Sequence, residues 1–492
     1  MERLVGIVKI LRKGEKRLLR HLYSASTNGE DRLRLELFNL IDSGKFKTEE
    51  DAVKAMNRNH SRSAHSHLKS RLRDDILNVL LLQESAKRIA NANHAAAFEC
   101  RRKLTQSYVL IARGAFKEGV EILKTAKSQA IKFELVAEHI LIDQLVRGLV
   151  HLIKDVKQLH ELNSIINKNM EVWADILRAE EISLALTLPH LYKETEELSD
   201  GILKAERIEE LRELYSNSGS ARVGFWYYIA FIEYANRNRM YNEAVEAGKL
   251  FIEMVKDNPS VWSKNNVAGA NQILGTAYLH TRDYHNAASH FEVADKNFPV
   301  AGNNRLANME TLIRSQIGMG DFAAALRTVE AAQAHPRIKG RAVTLPRWFY
   351  FQACVQLKMG DADASFRILN QEGYLTKQQD EWNVWFRIVE MMAMVEQRDE
   401  EWIDFKLQTL RKFIARYRKL GTPRVKAAVE LLSAILRKGL VFDNLGKKAE
   451  EGLKLSLAEA EGYEWSPEGA EVIRFDHWVQ SKRKKKVQDE VE

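Results

Sequence analysis

The sequence predicts an all-α fold assembled from successive helical hairpins, on three observations. Apolar residues recur at helical spacing along most of the 492 residues, all 7 prolines lie at or beyond Pro189, and no segment alternates β-branched and polar residues as a half-buried strand would. The chain is too long for one ordinary core, so roughly two to four domains or one extended array are expected. Hydrophobic residues at 45% and charged residues at 29% describe a folded chain rather than a disordered one.

Residues 1–85 form a basic helical module. Met1 to Asp75 carries 17 Lys and Arg against 11 Asp and Glu, which places much of the formal charge of +8 at this end. Four helices are expected here, near Gly14–Ser24, Asp31–Asp42, Thr48–Met56 and Ser61–Leu82, with Thr48 and Ser61 as caps. A short helix, a polar connection at Asn57–His60 and a longer basic helix have the outline of a helix-turn-helix. On the last helix Ala64, Leu68, Leu72, Ile76, Val79 and Leu82 make an apolar stripe. Arg62, Ser66, Ser70 and Arg73 lie off the stripe and Arg71 borders it, so these five are the candidate nucleic-acid contacts. Solvation of an exposed helix is the plainer reading of the same residues.

Residues 86–220 continue the helical period with weak repeat signals. Gly114, Phe116, Gly119, Leu123 and Ala126 mark a hairpin over Gln106–Ala126, and Leu141, Leu145, Leu149, Leu152 and Val156 form a helical stripe further on. Residues 221–375 hold the clearest pattern: Leu274, Gly275, Tyr278, Tyr284, Ala287, Phe291, Ala294 and Pro299. Small residues at 275 and 287 allow two antiparallel helices to approach, Tyr278 and Phe291 fill the space between hairpins, and Pro299 ends the second helix.

That pattern resembles the tetratricopeptide repeat position by position, with one departure at Asn271, where the family usually has Trp. Weaker copies begin near Phe225 (with Tyr241 and Ala244), Leu306 (Gly320, Phe322, Ala325) and Pro346 (Gly360, Ser365), spaced 43, 38 and 40 residues apart. The spacing exceeds the ~34 residues of the strict repeat, so irregular hairpins are expected. Residues 376–460 read as further amphipathic helices broken at Thr422-Pro423. Residues 461–492 read as an irregular cap on the last helices, around Trp465, Ser466-Pro467 and Gly469, followed by a basic tail at Lys482–Lys486.

The resemblance implies a tetratricopeptide-like right-handed α-solenoid whose first helices line a concave groove for a protein or peptide. Carried over in that register, the groove positions are Glu233, Asn236, Arg237, Gln272, Thr276, Glu310, Arg314, Arg347 and Tyr350, with Arg237 and Arg314 expected to be exposed. The set suits a polar peptide better than an apolar helix.

Catalytic signatures are missing from the sequence. It contains no phosphate-binding GxxxxGK[ST] or GxGxxG loop, no GxSxG elbow and no HExxH helix. His60, His65 and His67 do not have the three- or four-residue spacing that puts two ligands on one helical face, so no metal site and no cofactor is expected. Neighbouring acids such as Asp74-Asp75 diverge around a helix and read as surface charge. Trp226, Trp262, Trp348, Trp382, Trp385 and Trp402 read mainly as packing between repeats, with one or two at a binding surface. Cys100 and Cys354, far apart and in apolar helices, read as free thiols of a reducing compartment. With no signal-peptide pattern in the first twenty residues and no apolar run of the ~20 residues needed to cross a membrane, a cytoplasmic location and no membrane partner are expected. The expected function is a non-enzymatic protein-interaction scaffold or adaptor. The alternative is a bipartite transcriptional regulator, an architecture found among bacterial proteins that join a helix-turn-helix to such repeats.

Overall fold

In the computed structural model, residues 3–25, 28–45, 48–56, 62–84, 89–153, 156–187, 205–338, 345–371 and 380–489 are described, and the regular structure among them is helical throughout. The chain divides into two compact units, Met1–Ala126 and Lys127–Glu492. The sequence-based divisions at 85, 220, 375 and 460 do not include this one, which falls inside a helix.

The first unit contains α1 (Arg3–Ile10), α2 (Lys13–Ser24), α3 (Gly29–Asp42), α4 (Glu49–Lys54), α5 (Arg62–Gln83), α6 (Ala92–Ala112) and most of α7 (Phe116–Lys132). α1 was not expected from the sequence; its Leu4, Val5 and Val8 join Leu19, Leu37, Phe38, Leu72, Ile76 and Val79 in one core. Thr48 caps α4 by accepting the Asp51 amide at 3.1 Å. Ser61, the other expected cap, and the connection Asn57–His60 lie outside the described residues. On α5 the centre of the stripe is buried as read, but Ala64 and Leu82 at its ends are exposed. α6 and α7 approach closely at Gly119, where a Cβ would stand 2.8 Å from Ile111 and where Ser107 donates to the Gly119 carbonyl at 2.9 Å.

The second unit opens with α8 (Val136–Ile153), α9 (Val156–Thr187) and α10 (Ala205–Ser218). Here the buried face of α8 carries Ile142 and Leu149, while Leu141, read from the sequence as part of the stripe, is exposed. Six hairpins follow: α11 (Ala221–Arg237) with α12 (Tyr241–Asp257), α13 (Lys264–His280) with α14 (Tyr284–Asn297), and α15 (Asn303–Met319) with α16 (Phe322–Gln333). They continue as α17 (Leu345–Met359) with α18 (Ala362–Gln371), α19 (Glu381–Gln397) with α20 (Glu400–Arg416), and α21 (Pro423–Arg437) with α22 (Lys447–Leu457). The Thr422-Pro423 break is the start of α21, with Thr422 as N-cap and proline at the first helical position, where its missing N–H costs nothing. This serial stacking of antiparallel helix pairs is a tetratricopeptide-like α-solenoid.

Packing in the best hairpin follows the small-large logic of its sequence. A Cβ at Gly275 would lie 2.7 Å from the Phe291 ring, and Ala287 and Phe291 are fully buried. Asn271, the departure from the family pattern, is buried and accounted for by a polar pair: His290 Nδ1 meets its Oδ1 at 2.9 Å, its amide donates to Val267 at 2.8 Å, and the His290 ring stacks on Tyr278. Burial pushes the His290 pKa down, which favours the neutral ring in that pair.

The turn between the two helices of each of the first five hairpins repeats one device. A residue with left-handed backbone stands at Arg239, Arg282, Gly320, Gly360 and Arg398, and the next amide reaches back to the carbonyl five residues before it, as in Asp283 to Tyr278 and Asp321 to Gln316. Glycine is the low-strain choice in this conformation, and three of the five turns use arginine instead.

Candidate partner-binding groove

Successive first helices touch one another along the array, α11 to α13, α13 to α15, α15 to α17, α17 to α19 and α19 to α21. They form the inner layer, and their shared face is the groove.

Seven of the nine groove positions read from the sequence line one cavity of about 540 Å³ on this face: Glu233, Asn236, Gln272, Thr276, Glu310, Arg314 and Arg347. Four consecutive hairpins contribute, and Ile229, Ile232 and Ile273 supply an apolar part of the wall. Arg237 lies on the surface in an ion pair with Glu233 at 2.7 Å. Tyr350 is fully buried and donates its hydroxyl to the Ala470 carbonyl at 2.9 Å, so it faces the chain's own C-terminal segment rather than open space.

The electrostatics of the cavity floor are unusual for a structural surface. Arg347 pairs with Glu310 at 2.9 Å and lies 3.8 Å from the Trp382 ring centroid. Arg314, expected to be exposed, is only 6% exposed, with Phe351 and Trp382 under its guanidinium at 5.1 and 5.8 Å. It stands on the inner face, where the aromatic floor and the C-terminal segment enclose it. Burial pushes the pKa values of Arg314 and Arg347 down and that of Glu310 up, each toward its neutral form. Asn236 Oδ1, Arg314 Nη2 and Arg347 Nε, all on this cavity, have no hydrogen-bond partner among the described residues. Buried polar atoms are almost always satisfied in native proteins, so these three give the cavity hydrogen-bonding capacity that the described residues do not fill.

The segment expected to cap the last helices packs on them, with Val472, Ile473 and Phe475 in their core, and also reaches along the groove to the earlier hairpins. After α22, residues 458–474 run irregularly to the first hairpin and back before α23 (Phe475–Asp489) begins. Glu459 pairs with Arg282, Glu464 with Arg239 at 2.9 Å and Glu468 with His280 at 3.0 Å. On the return, Arg314 donates to the Pro467 carbonyl at 3.2 Å. Glu471 and Asp476 then close on Arg424 at 2.5 and 3.2 Å in a buried network. Lys482 and Trp478 reach Glu396, and Arg483 reaches Glu450 at 2.7 Å, which ties the start of the basic tail to the last two hairpins. The guanidinium groups of Arg282 and Arg474 lie 5.9 and 5.3 Å from the Trp465 ring centroid. These contacts were missed in the sequence. The available signal was charge: residues 458–481 hold six acids (459, 461, 464, 468, 471 and 476) against the single base Arg474.

Of the tryptophans, Trp348 and Trp385 are buried packing residues and Trp382 floors the arginines, whereas Trp402 is 56% exposed. In the N-terminal module, Arg71 is in an ion pair with Glu30 and Arg73 lies beside Asp74 at 3.3 Å and Ser70 at 3.4 Å. Ser66 is exposed and Ser70 half-buried, while the side chain of Arg62 lies outside the described residues. So does His60, and so does the side chain of His65. Among the described residues no group of three or more His, Cys, Asp or Glu could hold a metal ion, and no helix is long and apolar enough to cross a membrane.

No protein-family model matches the chain, and no curated protein matches it. Solved structures with similarity include the apo form of RapI, at 10% identity and a TM-score of 0.43 over 78% of this chain and 98% of that one. A Rap protein complexed with competence and sporulation factor has 13% identity and a TM-score of 0.39 over 78% and 98%. A STAND signal-transduction ATPase with a tetratricopeptide repeat sensor, from Pyrococcus horikoshii, has 11% identity and a TM-score of 0.38 over 87% and 56%.

Proposed function

We propose that this chain is a protein-interaction scaffold or adaptor that holds a peptide or protein segment in the groove of its solenoid and has no catalytic activity of its own. The observation that carries the reading is the cavity at Gln272, Thr276 and Arg314, where a donor-rich, acceptor-containing floor leaves Asn236, Arg314 and Arg347 atoms without partners among the described residues. A peptide backbone offers both donors and acceptors and can complete such a floor. A reducing cytoplasm is the proposed location, which suits Cys100 and Cys354, both buried and neither in a disulfide.

The test fills the cavity. Tagged full-length chain is used to capture partners from its native cell, beside Thr276→Trp with an unchanged melting temperature. Wild type should retain a discrete polypeptide that the variant loses. A partner held equally by both would place the binding surface elsewhere.

A further inference from the structure

The C-terminal strap shows what chemistry the groove accepts. Its two halves are held in different ways. The inner half is part of the core: Ala470, Val472, Ile473 and Phe475 are buried, and Arg424, Glu471 and Asp476 are each less than a tenth exposed. The outer half, Glu459–Glu468, is held at its carboxylates by partly exposed ion pairs, with Arg239 62% and Arg282 46% exposed at their side chains, and inside by the Tyr463 and Pro467 carbonyls, which accept from Arg424 at 2.9 Å and Arg314 at 3.2 Å, and by Glu459 on Arg474 at 2.6 Å. Exposed pairs of this kind are individually weak and are screened by salt.

The arginines that receive the outer half stand in the left-handed turns of the first two hairpins, at φ 60° and 62°, where glycine would be unstrained. Their side chains are what those turns gain in exchange. With His280 they stand along one rim of the groove, and Glu468 at the end of the outer half also borders the cavity lined by Thr276 and the buried Arg314.

We infer that residues 459–468 are a displaceable occupant of the groove and that the partner is an acidic, extended peptide segment that takes their place on Arg239, Arg282 and His280. The inference rests on the groove reading proposed above and adds the partner's charge and its competition with the chain itself. A tethered occupant competes at an effective concentration on the order of millimolar. A free peptide must therefore bind well or be present in excess, and weakening the tethered copy must raise its affinity.

The experiment uses the full chain and, as probe, a fluorescein-labelled synthetic peptide with the sequence of residues 457–470. Its anisotropy is measured with wild type and with Glu459→Gln, Glu464→Gln and Glu468→Gln combined, with folding checked by melting temperature. The released variant should bind the peptide at least tenfold more tightly than wild type, less so at high salt. Adding Arg239→Glu and Arg282→Glu should abolish binding. As a second measurement, excess unlabelled peptide should speed amide exchange at 459–468 in wild type while leaving 470–476 protected. Equal affinity in wild type and the released variant, or binding that survives the arginine reversals, would overturn the inference. Failure here leaves the groove reading to its own test, since Thr276→Trp can still abolish capture of a partner that is not acidic.

Discussion

Arg314 on α15 donates to the carbonyl of Pro467, 153 residues further along the chain, and Tyr350 on α17 does the same for Ala470. Two buried donors of the inner layer thus satisfy backbone acceptors of a segment that forms no helix or sheet of its own there. Such carbonyls cost free energy when buried without a partner. Tyr350→Phe should therefore lower stability by about 1–2 kcal/mol, measured by chemical denaturation. It should also raise amide exchange locally over 470–475. A stability loss with no local change in exchange would mean that the hydroxyl does not hold the strap.

Close helix approach makes a second expectation. Gly275→Leu must displace the fully buried Phe291 ring, which a Cβ alone would meet at 2.7 Å. The cost should be about 1–3 kcal/mol or more, from overpacking. An unchanged denaturation midpoint would show that α13 and α14 do not pack in this register.

Acid stability should depend on Asp143. It is almost fully buried, with Lys127 at 2.6 Å and His139 at 3.2 Å. Burial pushes its pKa up, but hydrogen bonds from His139 and Lys127 and their charges outweigh that and hold it below the usual range. A folded pKa below the unfolded one stabilises the fold above about pH 4, and this contribution is lost as the pH falls through the folded pKa. Asp143→Asn should be less stable near neutral pH and should show a flatter acid limb below about pH 4. An acid limb as steep as that of wild type would assign the loss to other carboxylates.

For the N-terminal module, DNA binding by the full chain should be feeble. Arg71 is already paired with Glu30, and Arg73 sits beside Asp74. Combined Arg62→Ala, Arg71→Ala and Arg73→Ala should change gel retardation no more than Lys9→Ala, Arg12→Ala and Lys13→Ala, which remove the same charge. A selective loss in the first set, with a salt slope lower by about 1 per contact, would establish the regulator instead.

Much of the array was legible because its signals are local. Small residues at Gly275 and Ala287 and the spacing from 225 to 346 locate four first helices, and helical register then brings seven of nine groove positions onto one cavity. Turn chemistry would have added more, since Arg282-Asp283, Gly320-Asp321, Gly360-Asp361 and Arg398-Asp399 repeat the same left-handed residue and following acid. What no local signal shows is the return of residues 458–474. Their contacts lie up to 225 residues away and depend on charge complementarity rather than period. The burial of Arg314 was misread for the same reason, because the segment that covers it is distant in sequence.

The central claim is that partners are held on the inner face of the array. Site-specific photocrosslinking in the native cell tests it most directly, with the photoreactive residue placed at Gln272 in the groove or at Glu246, an exposed position on α12. Gln272 should yield a discrete protein adduct that resists nuclease treatment, stronger when Glu459, Glu464 and Glu468 are changed to Gln, while Glu246 should yield none. Adducts from Glu246 with none from Gln272 would contradict the account.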